Sequence, residues 1–362
     1  MNPTPAGKLM GPMRLATPPA FPTEVFVLEA PDPSLLPEGP WVLVGDEALR
    51  AAWRAAKLPE PTETRWVSVD EPRKRLETII PWLEAWSRVP LHRDGTVVAV
   101  GGGVLTDLAG LAAALYLRGI AWQTWPSTLL SMADAGLGGK TGADLPTGKN
   151  LVGAFHAPRR LVACLDFLAT LPQRQVDSGR WELVKTALLK ADLAWAQELF
   201  AQDAPRRVSV ERALAYKAEV VHRDPTEQGE RRLLNLGHTL GHAVESASDY
   251  RILHGEAVGV GLLASCLLSA ELGFAAFPES FIDAMAQRLR PLAPLLPAWE
   301  DALPWMRRDK KATSLRAGGP AEIHCILPRP DGPPQQRLLP PEAWAEPFAR
   351  CLHLITGETS RA

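Results

Sequence analysis

The stretch from Arg231 to Glu256, RRLLNLGHTLGHAVESASDYRILHGE, constrains this chain more than any other, and it holds three of the eight histidines. Read as a helix over its first half, it sets Arg231, Asn235, His238, His242 and Glu245 at steps of three and four, on one polar stripe. Leu233, Leu234, Leu236 and Leu240 fill the rest of its girth, so such a helix packs inside the protein. A buried polar stripe needs partners, because each desolvated polar group left unpaired costs about 1 to 3 kcal/mol.

Two imidazoles four residues apart are one way for a helix to present nitrogen ligands to a metal. The competing reading is a helix with two structurally satisfied histidines. A third histidine, His254, follows after a loop beside Gly255 and Glu256 and adds weight to a metal site. The pattern is not that of a zincin, since no Glu follows His238 directly. A carboxylate ligand has to come from elsewhere in the chain, and a catalytic site keeps one position open for water or substrate.

The chain of 362 residues, 46% hydrophobic and 22% charged, is long enough for two domains of an ordinary globular protein. A net charge of -2 with a pI near 6.5 gives no global field for nucleic acid or membrane, so an anion site must be a local basic cluster. Cys164, Cys266, Cys325 and Cys351 form no CxxC pair, which argues against a zinc ribbon or disulfide framework and fits a reducing cytoplasm. The longest strongly apolar run, Ala257 to Ala270, has 14 residues, short of the roughly 20 that a membrane span needs, and reads as a buried helix. Prolines break the first 22 residues, which read as a flexible tail rather than a signal peptide.

Between Val25 and Asp166, candidate strands at Val25 to Glu29, Trp41 to Gly45, Trp66 to Val69, Thr96 to Val100, Ala121 to Trp125 and Leu161 to Cys164 alternate with helix-like segments. Such alternation predicts a parallel or mostly parallel sheet with helices on its faces, and ligands at the carboxyl ends of strands. One strand end is distinctive: Gly101, Gly102 and Gly103 follow a hydrophobic run and precede a helix. There, phosphate oxygens can approach bare backbone amides. The spacing is not GxGxxG, and a tight turn is the alternative. Asp107 and Arg118, on the helix that follows, read by default as solvated helix ends.

The next segment, PSTLLSMADAGLGGKTGADLPTGKNLVGAFHAP, reads as long and irregular, with Lys140, Lys149 and Asn150 among its glycines. Lysines among small residues suit anion capture, although GGKT lacks the leading glycine of a P-loop. Beyond Pro172 the pattern turns helical, which places a domain boundary there. In WELVK, Glu182 and Lys185 share a face, by default as a surface ion pair, with Glu182 one of many candidates for the missing carboxylate ligand. Lys217 alone reads as an exposed lysine. A strand is expected at Ala321 to Leu327, after MRRDKK.

Taken together, GGGVLTDLAG, YLRG, PSTLL, LGGKTGADLPTGKN, LATLP, WELVK, ERRLLNLGHTLGHAVE, HGEAVGVGL and RRDKK resemble, in order and spacing, the 3-dehydroquinate synthases, over about residues 40 to 330. The resemblance implies a Rossmann-like α/β NAD-binding domain over residues 23–172. A mostly α-helical metal- and substrate-binding domain would follow over 173–362. It implies a cytoplasmic, homodimeric lyase of the shikimate pathway that converts 3-deoxy-D-arabino-heptulosonate 7-phosphate to 3-dehydroquinate and phosphate. The family uses NAD, reduced and reoxidised within one turnover, and a divalent metal, usually zinc, with cobalt as an alternative.

By the same resemblance the metal ligands are Glu182, His238 and His254, leaving His242 for acid/base work or phosphate contact. NAD contacts fall on Glu71, Lys74, Gly102, Gly103, Val104, Asp107, Ser127, Thr128, Asp134, Lys149, Phe167 and Thr170. Substrate contacts fall on Asp134, Lys140, Asn150, Lys185, Lys217, Arg231, Asn235, His242 and one or both of Lys310 and Lys311. Arg118 matches an arginine that serves a neighbouring subunit. A substrate with a carboxylate and a phosphate monoester, roughly -2.5 to -3 in charge near neutral pH, suits this set of cations.

The chain departs from the family pattern where VDSS is common and Ala133, Asp134, Ala135 and Gly136 stand, where Trp181 precedes Glu182, and where Cys164 replaces a frequent Asp. None removes a residue assigned to chemistry. Rival readings are a sister sugar phosphate cyclase, such as a 2-epi-5-epi-valiolone or 2-deoxy-scyllo-inosose synthase, and an NAD- and metal-dependent polyol dehydrogenase. A further rival is a catalytically dead metal-binding scaffold.

Overall fold

In chain order the strands of the first part of the molecule are β1 (Met13–Leu15), β2 (Glu24–Leu28), β3 (Trp41–Asp46), β4 (Thr64–Val67), β5 (Thr96–Gly101), β6 (Ala121–Pro126), β7 (Lys140–Leu145), β8 (Gly148–Phe155) and β9 (Arg160–Cys164). Helices α1 (Arg50–Ala55), α2 (Leu76–Trp86) and α3 (Gly103–Leu115) lie between them. Every residue of β5 is buried, as expected of a strand covered on both faces. The structure, a computed structural model, describes residues 13–15, 23–61, 63–203, 205–308 and 322–357, in two compact units, Met1–Leu171 and Pro172–Ala362.

The sheet of the first unit has the order β1-β2-β9-β6-β5-β3-β4, parallel throughout except for β1. From β3 the chain runs outward to the edge strand β4, then crosses back to lay β5 on the other side of β3. The loops that leave β3 and β5 therefore diverge, which makes their carboxyl ends a switch point, the usual place for a ligand crevice in an open α/β sheet. The glycine triplet sits there. Beneath it, Val42, Val44, Val97 and Ala99 of the sheet pack against Ile79, Trp82 and Trp86 of α2 and Leu105, Leu108 and Ala112 of α3.

Two features differ from the sequence expectation in this unit. The glycine-rich segment is not irregular: β7 and β8 form an antiparallel hairpin, masked in sequence because glycines interrupt its alternation. A Cβ on Gly153 would lie 2.3 Å from the Thr141 carbonyl, so the strands approach only because a side chain is missing. Met13–Leu15, inside the expected tail, pairs with β2; the other residues before Thr23 lie outside the described residues.

The second unit is built from α4 (Gln173–Leu189), α5 (Leu193–Ala201), α6 (Arg207–Arg223), α7 (His238–Ala247), α8 (His254–Glu271), α9 (Glu279–Leu289), α10 (Trp299–Arg308) and α11 (Ala345–Thr356), with a hairpin of β10 (Ile323–Arg329) and β11 (Gly332–Leu339). The helix expected at Ala257 to Ala270 is α8, buried from Gly255 to Ser269 and apolar on all sides, so other elements pack around it. Lys310 and Lys311 lie outside the described residues.

Three glycines of α8 set how closely its neighbours come. A Cβ on Gly255 would lie 2.0 Å from the Ser178 carbonyl, and one on Gly259 2.6 Å from Trp181, both on α4. On another face, a Cβ on Gly261 would lie 1.9 Å from the Gly237 carbonyl at the start of α7. Gly261→Ala is expected to force α7 off α8 and destabilise the protein by about 1 to 3 kcal/mol, the usual cost of overpacking. Gly39→Ala, with nothing within 4 Å of its new Cβ, is expected to leave stability unchanged. Denaturant unfolding of the two variants checks this.

Candidate metal and dinucleotide sites

The polar stripe expected from Arg231 to Glu245 is cut in two. Glu230–Asn235 is a short 3-10 turn, and α7 begins only at His238 because Gly237 adopts φ 76, a left-handed conformation that ends one helix and starts the next. Arg231 and Asn235 thus belong to the turn, while His238, His242 and Glu245 keep one face of α7. His254 is the first residue of α8.

These elements converge. The ring centroids of His238, His242 and His254 lie 5.2 to 5.6 Å apart, and one ring nitrogen from each falls within 4.8 Å of the others. Glu182, on α4, is 1% exposed, with Oε1 3.6 Å from His238 Nε2 and 3.8 Å from His254 Nε2. Ligands about 2.1 Å from a tetrahedral ion lie about 3.4 Å from one another, so Oε1 stands slightly farther from each of the two imidazole nitrogens than in a loaded zinc site. Its other oxygen, Oε2, is 2.6 Å from Lys185 Nζ. The pair is fully buried rather than at the surface, because α4 packs all its faces.

The second ring nitrogens decide whether the histidines can serve as ligands. His238 Nδ1 is 3.0 Å from the Leu236 carbonyl, and His254 Nδ1 is 3.1 Å from Glu245 Oε2. Both partners only accept, so each neutral ring carries its hydrogen on Nδ1 and turns the lone pair of Nε2 towards Glu182. One carboxylate and two neutral imidazoles with paired Nδ1–H groups are the donor set that a divalent metal such as zinc takes.

The backbone of His254 is fixed separately. Glu256 accepts the Leu253 N–H at 2.8 Å, half of a capping box, and Arg174 of α4 grips both oxygens of Glu256 at 2.7 Å. Hydrogen bonding to Glu256 in turn raises the pKa of Arg174. Nearby on the chain, Asp224 accepts backbone N–H groups of Gln228, Gly229 and Arg231. Burial opposes the charge of Asp224, but these donors and the Arg231 guanidinium hold its carboxyl below the usual range. Arg231 is 2% exposed and donates to the Pro225 carbonyl, and Asn235 donates to Glu227 at 2.7 Å. Lys217 is buried, not exposed, because α6 turns its face inward.

In the first unit Gly102 caps α3 without a side-chain hydrogen bond, so the first amides of that helix face the switch point. A Cβ on Gly102 would come within 3.1 Å of Thr128 Cγ2, so the missing side chain lets the turn after β5 lie close against Thr128. Ser127 donates its N–H to the Gly101 carbonyl and Thr128 accepts from Ser131 N–H, ahead of the π-helical turn Ser131–Ala135 that carries Asp134. Lys140 and Asn150 lie on the hairpin, Asn150 with φ 52.

Asp107 is no solvated helix end: Lys74 Nζ lies 2.6 Å from its Oδ2 and 2.8 Å from Asn150 Oδ1, and Lys149 pairs with Glu71 at 2.9 Å. Glu71, Lys74, Asp107, Lys149 and Asn150 are therefore brought together beside α3, whose first turn carries Gly103 and Val104. Phe167 and Thr170 stand apart in the turn Leu165–Thr170 after β9; the Phe167 side chain is in the core, so its backbone is what it can offer a ligand. Arg118 is exposed, in a turn where Leu117 and Arg118 both have positive φ.

The sequence did not single out Arg174, Asp224 or Glu227, nor give Glu245 and Glu256 a role. The available signals were the N3 position of Glu256 after Leu253 and the place of Glu245 on the histidine face of α7.

Residues 65–178 match the family model described as 3-dehydroquinate synthase N-terminal, and residues 179–312 the one described as 3-dehydroquinate synthase C-terminal. A 3-dehydroquinate synthase of Symbiobacterium thermophilum is 39% identical over 295 residues, 78% of this chain and 80% of that protein. One of Methylacidiphilum infernorum is 43% identical over 248 residues, 66% and 67% of the two chains. Among solved structures, a 2-epi-5-epi-valiolone synthase from Streptomyces hygroscopicus with NAD+ and Zn2+ bound superposes with a TM-score of 0.74 at 25% identity, covering 94% of this chain and 99% of that one. The fold is that of the sugar phosphate cyclases. Within that class, the chain belongs to the 3-dehydroquinate synthase family.

The Lys74–Asp107 pair has a testable signature. Burial works against the Lys74 ammonium, but Asp107, with Glu71 and Asp144, raises its pKa above 10.5. A raised lysine contributes stability that is fully present below its unfolded pKa and lost as pH climbs through the folded one. Asp107→Asn is expected to cost about 2 kcal/mol at neutral pH, less than for a fully buried pair because Asp107 keeps 23% exposure. The stability gap between the parent and Lys74→Met is expected to hold through neutral pH and to close only above pH 10.5, as read by denaturant unfolding at each pH.

Proposed function

We propose that the chain is a 3-dehydroquinate synthase that converts 3-deoxy-D-arabino-heptulosonate 7-phosphate into 3-dehydroquinate and phosphate. The observation that carries this reading is the convergence of Glu182 Oε1 with the Nε2 lone pairs of His238 and His254. In the same unit are Lys185, Lys217 and Arg231, each at most 8% exposed. A chain of net charge -2 that buries three cations in the unit that carries this donor set suits a small substrate bearing both carboxylate and phosphate.

The metal would be held by Glu182, His238 and His254, and the dinucleotide by the glycine turn at α3 with Glu71, Lys74, Asp107, Ser127, Thr128 and Lys149. When bound, the metal supplies Lewis acidity at a substrate oxygen and the dinucleotide a reversible hydride acceptor. Lys185 Nζ, 2.6 Å from Oε2, orients Glu182. His242, one turn along α7 from His238, is placed to take a proton or to donate to a phosphate oxygen. Lys217, Arg231 and Asn235 orient the anionic groups of the substrate, and the α3 amides receive the dinucleotide phosphates. Asp134, Lys140 and Asn150 are assigned to the substrate by family resemblance.

Two finer points belong to the same reading. The exposed Arg118, in a turn with Leu115 and Leu117 also exposed, supports a homodimer in which that arginine serves the neighbouring copy. Four cysteines that are all free and buried, with the Cys164 thiol pushed by burial up to about 12, support a cytoplasmic location. No helix among the described residues is long and apolar enough to cross a membrane.

Phosphate release with the heptulosonate phosphate is expected to proceed with NAD present and with no net build-up of NADH. Sedoheptulose 7-phosphate, which lacks the carboxylate, is expected to give none, and the opposite pattern would move the chain to another cyclase. His242→Ala is expected to keep its zinc by elemental analysis yet lose about 10²- to 10⁴-fold in turnover, whereas His254→Ala loses both. Loss of zinc from His242→Ala would put that residue among the ligands.

A further inference from the structure

His238 and His254 are not held alike. The His238 ring is buried and anchored by the Leu236 carbonyl two residues away. The His254 side chain is 32% exposed, at the end of a helix entered through Asp249 and Tyr250, both at positive φ. Glu256 and Arg174 fix the backbone there, but neither touches the ring. What touches Nδ1 of that ring is Glu245 Oε2 at 3.1 Å, from a carboxylate 8% exposed and two turns along α7 from His238.

We propose that Glu245 is a positioning residue for the metal centre. Its carboxylate holds the hydrogen of His254 on Nδ1, aims Nε2 at the ion and makes the imidazole a stronger donor. This rests on the assignment of Glu182, His238 and His254 as ligands. An ionised carboxylate has no hydrogen to give, so the Nδ1-protonated ring is the neutral form that satisfies this contact. Were the ring to flip about its Cβ–Cγ bond, carbon Cδ2 would face Glu245 and carbon Cε1 would face Glu182, so both contacts would be lost. The carboxylate also binds α7 to the first residue of α8, so the ligands on the two helices keep a fixed spacing. Its negative charge adds to that of Glu182 in favour of a divalent ion, while Lys185 offsets part of the Glu182 charge. Partners of this kind typically govern 10- to 100-fold of metal affinity.

The test compares the parent protein with Glu245→Gln, Glu245→Ala and His254→Ala. Zinc affinity is read by competition with a chelating dye, thermal unfolding is read on the metal-free proteins, and the visible spectrum of each is read with cobalt in place of zinc. Glu245→Ala is expected to bind zinc about 100-fold more weakly. Glu245→Gln, whose amide oxygen can still accept from Nδ1–H but carries no charge, is expected to lose about tenfold and to shift the cobalt spectrum. If Glu245→Ala does not fold, Glu245→Gln carries the test alone. A Glu245 variant that melts earlier yet binds zinc as tightly as the parent overturns the proposal and leaves only a structural tie. If His254→Ala itself keeps parental affinity, the ligand assignment has failed and the proposal falls with it. A tight His254→Ala therefore separates that failure from one specific to Glu245.

Discussion

Three places where α8 has no side chain govern the second unit. Gly255 and Gly259 let α4 lie against one face, and Gly261 lets the Gly237 turn at the start of α7 lie against another. Packing of this kind is intolerant: an added methyl would sit 1.9 to 2.6 Å from atoms of the neighbouring elements, well inside contact distance. Because α4, α7 and α8 cannot separate without opening the core, the side chains on their facing turns are held in register. Glu182 is one turn beyond Ser178 on α4, His238 follows Gly237, and His254 precedes Gly255. Each donor is therefore next to a glycine contact or one turn from it, and the metal site takes its precision from backbone contact rather than from side-chain fit.

The charges follow from that closeness. Glu182, Lys185, Lys217 and Arg231 are all nearly removed from water, which is costly unless each finds opposite charge or strong hydrogen bonds. Lys185 and Glu182 form a buried ion pair, and Arg231 is seated by the Pro225 carbonyl in a loop that Asp224 gathers with three backbone N–H groups. The first unit solves the same problem at its switch point, where Lys74 bridges Asp107 and Asn150. A near-neutral chain thus carries strongly charged local sites without any global field.

Much of this was legible in the sequence. The strands from Val25 to Cys164 announced themselves by β-branched runs between helix-like segments, and their observed bounds differ by only a few residues. The spacing of the histidines suggested a metal, but Glu182 as the carboxylate, and His238 with His254 rather than His242, could be chosen only through resemblance, because more than seventy positions separate the first ligand from the last and periodicity carries no information across such gaps. Gly237 shows why local pattern failed in the polar stripe: steps of three and four continue straight through it, while its left-handed conformation depends on packing against α8. The hairpin at Lys140–Phe155 was hidden for a related reason. Its glycines, the very residues that permit close strand pairing, erase the alternation by which a strand is usually read.

Second-sphere contacts were the least legible, and their chemistry explains it. A carbonyl that anchors an imidazole, such as that of Leu236, leaves no trace in residue identity, since any residue has one. Glu245 is visible as a residue but not as a partner, because the loop from Ser248 to Leu253 decides whether His254 returns to it. That loop passes through two consecutive residues at positive φ, Asp249 and Tyr250, a conformation that costs free energy and persists only when its surroundings hold it. The holding contacts are identifiable: Ser248 receives the Ile252 N–H, Arg174 binds the Arg251 carbonyl, and Glu256 takes the Leu253 N–H. The strain is thus spent on a reversal sharp enough to bring the first residue of α8 back beside the last turns of α7, which is what lets one carboxylate on α7 reach a ring on α8.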